Sequence, residues 1–100
     1  MKAKLLENEQ LVKEGGATYF NELLFGLSAG GRLYLTNQRL LFEGHRFNIG
    51  RKSVVVYVKD IISCSTGFPN TLTLLTNRNE EFTFSVYGKK DWQNKINELL

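Results

Sequence analysis

Residues 31–42 read Gly31-Arg32-Leu33-Tyr34-Leu35-Thr36-Asn37-Gln38-Arg39-Leu40-Leu41-Phe42, and the fold follows from how their apolar side chains alternate. Leu33 and Leu35 alternate with Arg32, Tyr34 and Thr36, the period of two expected of a strand with one buried face. Leu40 and Phe42 alternate with Arg39 and Leu41 in the same way. If Asn37-Gln38 is a two-residue turn, Leu35 faces Leu40 and Leu33 faces Phe42, so four large side chains fall on one face. A slip of one residue would turn all of them to water, so the register argument is stronger than the turn argument.

The same pattern returns downstream. Leu72 and Leu74 alternate with Thr71 and Thr73, and Phe82, Phe84 and Val86 alternate with Thr83 and Ser85. A loop of Asn77-Arg78-Asn79 pairs Leu74 with Phe82 and Leu72 with Phe84, with Asn79 in the left-handed position that asparagine tolerates. Between the hairpins, Ser53–Val58 is β-branched and Ile61–Thr66 reads as another strand. Upstream, Leu11–Phe20 is extended in character, and Gly15-Gly16 predicts a bulge. Only Lys89–Leu100 changes period: Trp92, Ile96 and Leu99 lie on one face of an amphipathic helix, with Gly88 before it and Asp91 at its positive end. About seven strands and one helix result. The helix must bury its apolar stripe on the sheet layer.

The chain has 100 residues, 42% of them hydrophobic and 23% charged, with a net charge of +3. That is an ordinary globular composition, one domain spanning residues 1–100 with one core. No stretch approaches the roughly 20 apolar residues of a membrane span, and the N-terminus lacks the apolar segment of a secretory signal. The single cysteine, Cys64, cannot form an internal disulfide, which fits a reducing, cytoplasmic interior. With one histidine besides, the ligands for a zinc site are too few, and neither metal nor other cofactor is expected.

The residues quoted at the outset resemble the signature hairpin of GRAM domains, members of the pleckstrin-homology-like superfamily. Glu9 and Leu11 match the family's opening segment, Asp60-Ile61 the step into its middle strand, Phe82 and Phe84 its last strand, and Trp92 its helix tryptophan. The resemblance runs from about Leu5 to Leu99. It implies a mainly β fold, a pleckstrin-homology-like barrel of seven antiparallel strands in two roughly orthogonal halves, capped at one end by the C-terminal helix. It implies no catalysis; such domains bind membrane lipids or proteins. A chain holding this domain alone is expected to be a stand-alone, bacterial version.

Gly26–Leu33 approaches the spacing of a phosphate-binding loop, but Arg32 and Leu33 replace its Lys-Ser/Thr and a strand follows where a helix is required. Cys64 and His45 are the only soft pair, and no third group completes a nucleophilic site. Tyr19, Tyr34, Tyr57 and Tyr87 could stack on nucleic acid, but +3 is too little charge to expect that partner.

The cations are the better lead. Between Arg32 and Lys59 lie Arg32, Arg39, Arg46, Arg51, Lys52 and Lys59 against Glu43 alone, a net of +5. The resemblance puts a headgroup site at the open end, formed by the first, third and sixth connections, here Asn21–Gly31, Phe47–Lys52 and Asn77–Asn79. Arg32, Arg46, Arg51, Lys52 and Arg78 are therefore expected around that rim, where guanidinium forks suit phosphate. Arg39 is set aside as a structural part of the hairpin. Leu23, Leu24, Phe25 and Leu27 make the first connection apolar; Leu24 and Phe25 would insert into a bilayer or a partner, or else fold back on the core. The expected function is weak peripheral association with anionic lipid headgroups at the inner membrane face. The alternative is an adaptor that binds a protein or peptide, for example by strand addition at Ser53–Val58.

Overall fold

The structure is a computed structural model that describes residues 1–20, 28–45 and 53–100. Seven strands follow one another: β1 (Leu11–Phe20), β2 (Ser28–Thr36), β3 (Arg39–Gly44), β4 (Ser53–Tyr57), β5 (Ile61–Gly67), β6 (Thr71–Thr76) and β7 (Glu81–Val86). A 3-10 turn, Val58–Asp60, joins β4 to β5, and the helix α1 spans Lys89–Asn97. All pair antiparallel in one sheet of order β4-β3-β2-β1-β7-β6-β5. The sheet is pleckstrin-homology-like, and among the described residues no ladder joins its two ends. β4 and β5 are its two edges, and α1 lies against β5, β6 and β1.

Both expected registers hold. Leu33 pairs with Phe42 and Leu35 with Leu40, and Leu72 pairs with Phe84 and Leu74 with Phe82. The inward side chains of both halves meet in one core. Tyr19, Phe42 and Phe84 form its aromatic centre, with ring centroids 5.3 to 5.8 Å apart, a spacing at which tilted rings attract. Trp92 and Ile96 of α1 are fully buried in the same core and Leu99 packs against it. Asn79 takes φ 62°, as expected of its loop, and Gly88 caps α1 with φ 66°.

Several expectations need correction. Gly15-Gly16 makes no bulge: Gly15 pairs regularly with Leu33 and Gly16 with Arg32, and the irregularity falls between Leu11 and Lys13. A side chain at Gly15 would instead meet the ring of Trp92, so that glycine marks where the helix lies on the strand. β2 begins at Ser28, so Ser28–Gly31 are strand and not part of the first connection. The helix ends at Asn97, short of Leu100, and β4 ends at Tyr57.

One burial pattern departs from simple alternation. Tyr34 and Leu41 point to the outer face, opposite Leu33 and Leu40, yet both are buried. The N-terminal residues run along that face and explain it. Lys2 and Ala3 donate their backbone N–H groups to the Glu43 carboxylate, and Gln38 Nε2 donates to Glu7 O at 2.8 Å. Asn37 donates from Nδ2 to Asn8 O and from its backbone to Gln10 O. Tyr34 and Leu41 of the β2–β3 hairpin are thus covered, whereas Arg32 on the same face stays exposed.

Candidate functional site

Arg39 sits where the hairpin, the N-terminal segment and the outer face meet. Its Nε donates to Glu9 Oε2 at 2.8 Å, and its terminal nitrogen donates to Glu9 Oε1 and to Lys4 O. Thr36 Oγ1 donates to the same carboxylate at 2.6 Å, and the Leu6 N–H caps its other oxygen. Burial alone would push the Glu9 carboxyl up, but the hydrogen bonds from Arg39, Thr36 and Leu6, helped by the guanidinium charge, hold it below its ordinary value. Both Glu9 oxygens, Arg39 Nε and one of its terminal nitrogens are engaged within the fold, so the guanidinium is committed to the N-terminal segment. The structural role expected of it is what the contacts show.

The residues expected at a headgroup rim fall into two groups. Arg46, Arg51, Lys52, Leu24 and Phe25 lie outside the described residues. Arg32 and Arg78 lie within them and are not brought together. Arg32 is four residues inside β2, between Gly16 and Glu43 in the sheet, and its guanidinium meets Glu14 at 3.2 Å on the exposed outer face. Arg78 is exposed at the tip of the β6–β7 loop, which is stitched to the 3-10 turn by Asn77 N–H donating to Asp60 O at 2.8 Å. Gly16 lies beside the Ala17–Val86 pair, whereas Arg78 lies beyond Glu81 at the opposite end of β7. That strand's length, roughly 17 Å, separates them along the sheet. In the same loop Glu80 reinforces the effect of burial on the Tyr19 phenol, which titrates above its ordinary value.

The strand ends give the remaining geometry. β1 ends at Phe20 beside Ser28, where β2 begins, and β3 ends at Gly44 beside Gly31 of the same strand. The strand ends that flank residues 21–27 and 46–52 therefore face one way. On the adjoining outer face is an open groove of about 340 Å³, floored by Gly16, Thr18, Gly30 and Ser85 and flanked by His45 and Tyr87. His45 is exposed, with its N–H donated to Gly30 O at 3.0 Å.

Nucleophilic chemistry finds little support. Cys64 is buried on β5, and burial pushes its thiol up to about 11, so almost no thiolate exists at neutral pH. Among the described residues no three His, Cys, Asp or Glu side chains cluster to hold a metal ion. Tyr19 and Tyr34 are buried, which removes half of the tyrosines from any stacking surface. No described helix is long and apolar enough to cross a membrane. Phe68, which no motif singled out, and Tyr87, expected only as one of four tyrosines for stacking, stand almost wholly in water. The available signal was an aromatic in the turn-like run Gly67-Phe68-Pro69-Asn70, where a packed side chain is not expected.

The family model of the GRAM domain matches residues 1–99. Among solved structures, the C-terminal domain of an unknown protein from Leishmania infantum superposes with a TM-score of 0.77 at 12% identity, over 93% of this chain and 85% of that one. The structure of human RhoA in complex with the DH/PH fragment of PDZRHOGEF matches with a TM-score of 0.71 at 10% identity, over 92% of this chain, which spans only 29% of that one. The Slm1-PH domain in complex with inositol-4-phosphate matches with a TM-score of 0.67 at 11% identity, over 89% and 96% of the two chains. At these identities the likeness is one of fold. No protein with a curated description matches the sequence significantly.

Proposed function

The chain belongs to the GRAM domain family, and from that premise we propose that it is a non-catalytic module that docks weakly on anionic lipid headgroups. The residues offered for this are Arg46, Arg51 and Lys52 on the connection after β3, with Leu24 and Phe25 on the connection after β1 as the apolar element. Arg78 and Arg32 join only in the long-range field, since Arg32 already shares its charge with Glu14. The observation that carries the reading is the shared direction of the strand ends flanking residues 21–27 and 46–52. An apolar and a basic segment leaving one end of a sheet suit a surface that is hydrocarbon beneath and anionic above. The inositol-4-phosphate bound by the Slm1-PH domain shows that this fold accommodates such chemistry in another protein. A peripheral position at the inner face of a membrane follows from the reading.

The test is a combined Arg46→Ala, Arg51→Ala, Lys52→Ala variant in vesicle co-sedimentation. Each basic residue near an anionic surface contributes about 1 kcal/mol, so the triple variant should bind on the order of a hundredfold more weakly. Equal binding by parent and variant contradicts the assignment. A second reading rests on a different observation: among the described residues β4 is an edge strand, and its outward Val55 and Tyr57 are exposed. An extended peptide could add there as an eighth strand. That binding would survive salt that abolishes headgroup attraction.

A further inference from the structure

We propose that Phe68 and Tyr87 form a separate contact surface, an aromatic wedge that enters the interfacial layer of an anionic membrane with Lys89 and Lys90 at its base. Phe68 is 94% exposed and Tyr87 92% exposed, the two most exposed large hydrophobic side chains among the described residues. Neither belongs to a loose end. Phe68 stands in the turn between β5 and β6, and Tyr87 in the junction between β7 and α1. The two segments are bound to each other: Val86 N–H donates to Asn70 O at 2.9 Å, and Lys89 Nζ donates to Gly67 O at 2.9 Å and to Pro69 O at 3.2 Å. The backbone that presents the rings is already ordered, so little conformational entropy remains to be lost on docking.

The charge around the rings selects the occupant. No charged residue occurs from Ile61 to Thr76. Among the described residues neither Lys89 nor Lys90 meets a carboxylate, and Asp91, the next residue, is held by Lys13 at 2.7 Å. An open hollow lined by Pro69, Tyr87, Lys89 and Lys90 lies at the base of the wedge, where a headgroup phosphate would meet the exposed Lys90 while Lys89, held by the Gly67 and Pro69 carbonyls, adds its charge. Asn70, Gly88 and Lys90 around it are exposed. Aromatic tips beside lysines that meet no carboxylate among the described residues match the boundary between hydrocarbon and anionic headgroups. The inference uses none of residues 21–27 or 46–52 and does not depend on the docking proposed for them.

Phe68→Trp tests it directly. Trp92 is buried, so a change in emission on adding vesicles reports the new indole. With vesicles of equal parts phosphatidylcholine and phosphatidylserine, the emission should shift to the blue and be quenched by brominated acyl chains. The Phe68→Ala, Tyr87→Ala double variant should bind those vesicles at least about tenfold more weakly, while unfolding at the parent's temperature. Unshifted emission from a chain that does sediment, or undiminished binding by the double variant, overturns the proposal and leaves the pair to a protein partner. A parent that ignores these vesicles overturns it together with the headgroup reading. A blue shift that persists in the Arg46→Ala, Arg51→Ala, Lys52→Ala background supports the wedge while contradicting the basic rim.

Discussion

Arg39 and Glu9, thirty positions apart in sequence, meet in a buried ion pair with Nε 2.8 Å from Oε2. The pair fastens the N-terminal segment to the hairpin of β2 and β3. Removing one partner leaves the other's charge buried without compensation, which costs about 3–5 kcal/mol. Arg39→Ala should therefore lower the unfolding free energy by that amount, measured by urea titration. Thr36→Val, which removes one hydrogen bond to the carboxylate, should cost about 1–2 kcal/mol.

The same pair predicts a pH dependence. The folded Glu9 carboxyl titrates below its ordinary 4.5, so the folded state holds the proton less tightly than the unfolded chain. The stability this contributes is present in full above pH 4.5 and is lost as pH falls through the folded value. Glu9→Gln should be less stable than the parent at pH 7, and the gap should narrow as the solution is made more acid. Unfolding curves from pH 7 down to about pH 3 check this.

Two glycines of neighbouring sheet positions should answer differently to alanine. A Cβ at Gly31 would overlap the backbone carbonyl of Glu43 in β3, and no side-chain rotation relieves it. At Gly16 a Cβ meets nothing within 4 Å. Gly31→Ala should destabilise by about 2 kcal/mol, as overpacking does. Gly16→Ala should stay within about 0.5 kcal/mol of the parent. Thermal unfolding of the two variants separates them.

Cys64, buried and with its thiol raised to about 11, should resist thiol reagents at neutral pH. Labelling should proceed only as fast as the chain opens and become rapid in denaturant. Fast reaction of the folded protein would mean that β5, an edge strand, opens locally.

How much of this was legible beforehand depended on which interactions are local. Both hairpins could be read because a period of two has one register that buries Leu33, Leu35, Leu40 and Phe42 together. The helix was legible from Trp92 and Ile96 for the same kind of reason. Burial of Tyr34 and Leu41 was not, because it depends on residues 1–10 returning to the outer face through contacts such as Lys2 to Glu43. Periodicity within a strand carries no information about what crosses it. The glycine pair was uninformative for a related reason: Gly15 lies on the strand face that meets Trp92, a contact made from 77 positions away. For the candidate site, Arg46, Arg51 and Lys52 lie outside the described residues, and only the positions of Arg32, Arg39 and Arg78 can be compared with expectation. Arg39 is buried against Glu9, Arg32 is paired with Glu14, and β7 separates Arg32 from Arg78. Residue count within a segment does not reveal which face of a strand each cation occupies.

The central claim is that the chain docks on anionic lipid, and co-sedimentation of the parent with phosphatidylcholine vesicles and with vesicles containing phosphatidylserine tests it most directly. At low salt the account predicts binding to the anionic vesicles well above that to the neutral ones, with the difference shrinking as ionic strength rises to the physiological level, where the screening length is roughly 8 Å. No sedimentation with either vesicle, or binding that ignores both lipid charge and salt, would contradict it.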